Sequence, residues 1–140
     1  MNILNIKNGI ICHQVNAMGK MGAGLALDIR KKWPIVYKDY MIAYNEGNLK
    51  LGNVIFTKIE KCNIIIASCV GQKFYGKKGK HTIYRAVEKY LEKVEIKSKE
   101  LQLPVHLPYK IGCGLAGGNW KIVERMIKEN ISEPIICRKG

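Results

Sequence analysis

Two glycine-bearing segments hold most of the residues whose types and spacing could do chemistry. The first, residues 10–28 (IICHQVNAMGKMGAGLALD), passes from an apolar run through Gly19, Gly22 and Gly24 into the start of an amphipathic helix. The second, residues 111–120 (IGCGLAGGNW), has four glycines in ten positions and also opens a helix. A strand that feeds such a turn and then a helix can aim free backbone N–H groups and the positive end of a helix dipole at an anion. Two such loops at two strand ends could clasp a diphosphate from opposite sides. Either loop alone could equally use glycine to make a turn with positive φ.

Just before the first loop stand His13, Gln14 and Asn16, where the C-terminal edge of a parallel strand usually meets a ligand. An imidazole near a phosphomonoester or an anomeric carbon could position water, or act as general acid or base close to neutral pH. The same histidine could instead bond a neighbouring carbonyl at the strand end. Neither loop is a Walker A motif, since no Gly-Lys-Ser/Thr follows, and neither is a clean dinucleotide fingerprint. No carboxylate pair and no His/Cys cluster at metal spacing is present, so no metal and no cofactor is expected.

These loops need a frame, and the composition supplies one. The 140 residues fit a single domain, 1–140, with 47% apolar and 25% charged residues. No apolar run is long enough for a bilayer, and the N-terminus lacks the order of a signal peptide, so a cytoplasmic protein with no membrane partner is expected. Cys12, Cys62, Cys69, Cys113 and Cys137 form an odd set with no C-x-x-C pair, which fits buried thiols in a reducing compartment. The formal charge of +13 favours encounter with anions, whether nucleotide or nucleic acid. The lysines are spread along helices as on solvated faces and no nucleic-acid motif is visible, so nucleic acid is the disfavoured partner.

Along the chain, residues 2–6 read as a short strand and residues 7–9 as a turn before the strand that ends at His13 to Asn16. Leu25, Ala26, Ile29 and Trp33 fall at helical spacing up to Pro34, and Tyr37, Tyr40, Met41 and Tyr44 line a second helix that Gly47 stops. Residues 53–59 and 63–70 read as neighbouring antiparallel strands, the latter central, and residues 71–80 as a basic aromatic loop over the site. Helices at 82–99 and 120–129 and strands at 103–109 and 134–137 complete the alternation. That order predicts a three-layer α/β/α fold around a mixed, mostly parallel sheet.

The segments HQVNAMGKMGAGLALDIRKKWP and PYKIGCGLAGGNW, in this order and with the helix that follows, resemble the macro domain family, in the branch that processes ADP-ribose 1''-phosphate and hydrolyses ADP-ribosyl groups. The resemblance implies a six-stranded sheet with ADP-ribose along the strand ends. It places Asn16, Gly19, Met21, Gly22, Ala23, Gly24 and Leu25 beside the distal ribose, and Ile111, Gly112, Cys113, Gly114, Leu115, Ala116 and Gly117 around the diphosphate. MNIL stands where the family has GDIL or GNIL, which puts Asn2 at the adenine-binding position and implies that the usual first edge strand is lacking.

His13 matches a histidine of members that remove the 1''-phosphate, so the resemblance marks His13 and Asn16 as the catalytic candidates. Ala116 occupies the position of an aspartate that ester-cleaving members use, so that mechanism is not assigned. The resemblance thus implies a phosphatase of ADP-ribose 1''-phosphate or a hydrolase of ADP-ribosyl esters, with a non-catalytic binder of ADP-ribose or a related nucleotide as the alternative. The implied partner is ADP-ribose, a derivative of it, or an ADP-ribosylated protein.

Overall fold

Alternation of side chains along one apolar strand organises the molecule, for which a computed structural model describes residues 2–75 and 81–138. That strand is β1 (Asn8–Asn16), and the others are β2 (Val54–Ile59), β3 (Asn63–Gln72), β4 (Val105–Pro108) and β5 (Pro134–Cys137). They form a five-stranded sheet in the order β2-β3-β1-β4-β5. β1 pairs in parallel with β3 and β4, β4 pairs in parallel with β5, and β2 runs antiparallel to β3. Successive residues of a strand point to opposite faces. Ile11 and Val15 therefore pack with Ile66 and Val70 on one face, and Ile10 and Cys12 pack with Ala67, Cys69 and Leu107 on the other.

Helices cover both faces, which a mostly parallel sheet requires. On the first lie α1 (Gly24–Lys32) and α2 (Pro34–Asn45), burying Ile29, Val36 and Tyr40. On the second lie α3 (Tyr84–Leu101) and α4 (Trp120–Asn130), burying Val87, Tyr90, Leu91, Val123 and Ile127. Basic Arg30, Lys31 and Lys32 sit in the last turn of α1, where the helix dipole favours positive charge. Trp33 alone separates α1 from α2, whose first residue is Pro34, a position where the missing N–H costs nothing.

The three-layer architecture and the mixed, mostly parallel sheet match expectation, and the differences have local causes. Residues 2–6 are not a strand: Ile3–Asn5 is a 3₁₀ turn, capped by Asn2, whose side chain accepts from Leu4 N at 2.9 Å. Ile3 and Ile6 are both buried, and a spacing of three matches one 3₁₀ turn better than strand alternation. The predicted turn at residues 7–9 is partly strand, because Gly9 adopts φ +125° beneath Pro104 and the His106 ring, where a Cβ would lie 2.7 Å from the Pro104 carbonyl oxygen. β1, not β3, is the central strand. Thr82, expected in a helix, forms an isolated bridge with Gln72, and α3 begins at Tyr84. Of the expected loop 71–80, residues 76–80 lie outside the described residues. Among the described residues no helix is long and apolar enough to cross a membrane.

Ile66 is fully buried between β1 and β2. Ile66→Ala removes its packing at the sheet centre and is expected to cost about 2–5 kcal/mol in denaturant titrations; a loss below about 1 kcal/mol would contradict the placement of the core.

Candidate functional site

At the C-terminal edge of the parallel strands the two helical layers part around a cleft of about 690 Å³. Its floor is the end of β1, residues 13–16; residues 20–26 form one wall, residues 108–112 and 114–116 the other, and Gln72 and Tyr75 border a third side. The walls come from opposite layers of the sandwich.

The first wall is shaped by Asn16. Its side-chain oxygen accepts from Met18 N at 2.9 Å and Lys20 N at 3.4 Å, and its amide donates to Lys20 O at 2.9 Å. From α2, the Tyr40 hydroxyl donates to Asn16 O at 2.5 Å and lies 3.0 Å from Asn16 Oδ1. Burial pushes the Tyr40 phenol up to about 12, so it remains a neutral donor. Gly19 needs its glycine: φ is +77°, and a Cβ would meet the Tyr44 ring at 3.2 Å. The loop then delivers α1 with no side-chain cap, because Ala23 occupies the N-cap. The first-turn amides of an α-helix have no intrahelical partner. Those of α1 are left toward the cleft, together with the positive end of the helix dipole.

The second wall folds on its own backbone. Cys113 N donates to Lys110 O, Gly117 N to Gly114 O and Gly118 N to Gly112 O, at 2.9, 3.0 and 2.9 Å. Lys110, Gly112 and Gly117 all have positive φ, at 63°, 74° and 76°. From the side, the backbone N–H groups of His81 and Thr82 donate to Ala116 O, and the Thr82 hydroxyl donates to Gly112 O at 2.5 Å. This arrangement leaves the amides of Gly114, Leu115 and Ala116 with no partner among the described residues. Successive amides freed in this way form an anion-binding concavity.

The charges agree with the amides. Lys20 and Lys110 line the cleft, and among the described residues no carboxylate does. Among the described residues no three His, Cys, Asp or Glu side chains converge to hold a metal ion.

Of the residues singled out by sequence, His13, Asn16, Met21, Gly22, Ala23, Gly24, Leu25, Ile111, Gly112, Gly114, Leu115 and Ala116 border the cleft. Gly19, Cys113 and Gly117 are not among its lining residues. The Cys113 thiol points back to the Ile111 carbonyl at 3.3 Å, and burial raises its pKa, which leaves it a thiol. Asn2 is outside the cleft lining, with its oxygen engaged by Leu4 N. Sequence reasoning did not single out Lys20, Tyr109 or Lys110 as lining residues, whereas Gln72 and Tyr75 belong to the loop 71–80 expected over the site. Lys20 lies inside the first glycine-bearing segment and Lys110 immediately precedes the second, and that position was the available signal.

His13 is the clearest departure from a reading by residue type. Alternation along β1 turns it into the α1–α2 face, 1% exposed, with Nε2 2.8 Å from the Ser68 hydroxyl and Nδ1 without a partner among the described residues. Burial lowers its pKa from 6.5 to about 3, so the ring is neutral at ordinary pH. It meets a hydroxyl, not the backbone carbonyl that was the alternative from sequence.

This burial has a sign in stability. The unfolded imidazole binds a proton below about 6.5 and the folded one only near 3, so the unfolded state holds more protons in that window. The contribution is complete above the upper value and is lost as pH falls through the window. Between about pH 7.5 and 4.5 the wild type is expected to lose on the order of 2–3 kcal/mol more than His13→Asn in denaturant titrations. Parallel pH profiles for the two proteins would show that the ring is accessible to protons.

Comparisons with known proteins agree on one grouping. A family model described as Macro domain matches residues 12–127. The ADP-ribose 1''-phosphate phosphatase of Candida albicans is 25% identical over 132 residues, which cover 88% of this chain and 82% of that protein. The chromodomain-helicase-DNA-binding protein 1-like of Mus musculus is 29% identical over 136 residues, 90% of this chain, although the chain spans only 15% of the mouse protein's length. A macrodomain protein structure from Streptomyces coelicolor superposes with a TM-score of 0.79 at 28% identity, covering 96% of this chain and 90% of that one.

Proposed function

The chain belongs to the macro domain family, and from that premise we propose that its cleft binds ADP-ribose or an ADP-ribose derivative, free or attached to a protein. The observation that carries this reading is the facing of two sets of amides across one cleft, the first turn of α1 and residues 114–116, which have no partner among the described residues; the described lining includes Lys20 and Lys110 and no carboxylate. A diphosphate satisfies both sets, because it offers several charged acceptors within a few ångströms.

In this reading Gly112, Gly114, Leu115 and Ala116 take most of the diphosphate, with Ile111, Cys113 and Gly117 holding the turn. Gly19, Met21, Gly22, Ala23, Gly24 and Leu25 enclose the distal ribose. Asn2, whose oxygen already accepts from Leu4, has its amide hydrogens left for a ring nitrogen of the base. The domain acts as one unit over residues 1–140. A cytoplasmic location belongs to the same reading and is supported by five cysteines that are all free thiols.

Binding is what the geometry supports best. Turnover is the second reading, favoured by the Candida albicans relative, whose name is that of a phosphatase. Water would then displace the 1''-phosphate or an ester at the distal ribose, with Asn16 and His13 as the nearest candidates to orient it. Asn16 has one amide hydrogen beyond its bond to Lys20 O, whereas His13 is buried and neutral and no lining carboxylate among the described residues offers a stronger base.

Calorimetry with ADP-ribose is expected to give a saturable heat at one site per chain, weakened at least about tenfold in Gly112→Ala. No heat with the wild-type protein would sink the proposal. Turnover of ADP-ribose 1''-phosphate and of an ADP-ribosyl ester, compared between wild type and His13→Asn, separates the readings: turnover of either that the variant loses supports the hydrolase, and no product from either in a protein that binds ADP-ribose supports the binder.

A further inference from the structure

The side chain at the cleft floor that neither wall accounts for is Gln14. Alternation along β1 sends it away from His13 and toward α3, beneath the second glycine loop. Its oxygen accepts from the Tyr90 hydroxyl at 2.9 Å. Its amide donates to Thr82 Oγ1 at 2.9 Å and to Gln72 Oε1 at 3.0 Å. Thr82 passes its own proton to Gly112 O, and the Gln72 amide donates to Phe74 O at 2.8 Å. The direction of every bond follows from two backbone carbonyls, which can only accept. Gly112 O takes the Thr82 proton and Phe74 O takes a Gln72 amide proton, so Thr82 Oγ1 and Gln72 Oε1 are left to accept from the Gln14 amide, and the Gln14 oxygen is left to accept from the Tyr90 phenol.

Sterics close the same assembly. A Cβ at Gly71 would lie 2.2 Å from Gln14 Oε1, and one at Gly112 would lie 2.8 Å from it. The amide is thus held between the end of β3 and the start of the second loop, close against both glycines, and Gly112 also takes a positive φ of 74°.

We propose that Gln14 is the positioning residue of the second glycine loop, setting the Gly112 carbonyl inward through Thr82 so that the amides of Gly114, Leu115 and Ala116 face the cleft before any ligand arrives. This deepens the reading of the cleft as a diphosphate site and rests on it. Gly112 O is shared between the Thr82 hydroxyl and Gly118 N, so losing the hydroxyl loosens the bond that closes the loop. Tyr90 is fully buried on α3, and burial keeps its phenol protonated, so the donor to Gln14 does not switch off with pH.

The test uses Gln14→Met, which keeps length and bulk but removes all three hydrogen bonds, and Tyr90→Phe, which removes only the phenol donor. ADP-ribose affinity by calorimetry, melting temperature, and backbone amide exchange in the ligand-free protein are read for each. Gln14→Met is expected to bind ADP-ribose at least about tenfold more weakly. Its Gly117 and Gly118 amides should exchange faster, while those of Met18 and Lys20 in the first loop hold. Tyr90→Phe should shift both readings in the same direction by less, and it carries the test if Gln14→Met does not fold. Unchanged affinity with unchanged exchange overturns the proposal. So does faster exchange in both loops together with a lower melting temperature, since that is the signature of a general structural role. If the wild type binds no ADP-ribose, the functional reading fails while the exchange comparison still decides whether Gln14 positions the loop.

Discussion

Backbone N–H groups must find acceptors, and the cleft is where this fold leaves several without one. Ala23 cannot cap α1, and the turns at Lys110, Gly112 and Gly117 use neighbouring carbonyls in a way that frees the amides between them. In water each such group is tolerable alone, but gathering them in a concavity makes a surface complementary to an anion. The sheet decides that the two sets face each other. They follow the ends of β1 and β4, adjacent parallel strands, yet they feed helices on opposite layers. A carboxylate in the lining would have satisfied the amides internally, and none is present among the described residues.

The surrounding charge works over a longer range. The chain carries +13, and only two ion pairs occur among the described residues, both within helices and exposed. Another cation rests on a ring: Arg30 lies 3.8 Å from the Tyr37 centroid. Such a contact holds a guanidinium in place without cancelling its charge. The positive field therefore persists around the cleft, which raises encounter rates with anions and does little for the strength of the fold.

The parts legible in the sequence were those set by local pattern. Alternating strand and helix periods gave the three layers, and glycine spacing together with the strand-end position of residues 13–16 located both walls of the cleft. The parts that were not legible depend on what lies across the sheet. His13 reads as a chemical residue by type, and only the parity of its position on β1 and the facing Ser68 show it inside the core. Ile3 and Ile6 read as strand until the side chain of Asn2 claims a backbone amide. Thr82 and Tyr90 look like ordinary helix residues, because what distinguishes them is a bond to Gln14, some seventy positions earlier in the chain. Nothing in a linear pattern encodes such a partner.

Trp33, which ends α1 and begins α2, has a consequence for how this chain can vary. Its N–H closes the last turn of α1 on Ile29 O, and its carbonyl accepts from Val36 N, so no slack residue separates the helices. From α2 the Tyr40 hydroxyl returns to Asn16, the residue from which the first loop departs. Residues 16–40 thus form a closed circuit, fastened by one phenol, with a buried core on its inner side. One inserted residue in that circuit would rotate the helix after it by about 100°, moving either the amides of α1 or the Tyr40 hydroxyl off target. Insertions and deletions among relatives are accordingly expected to avoid residues 16–40, and to collect in connections such as that between α2 and β2, where no bond returns to the cleft.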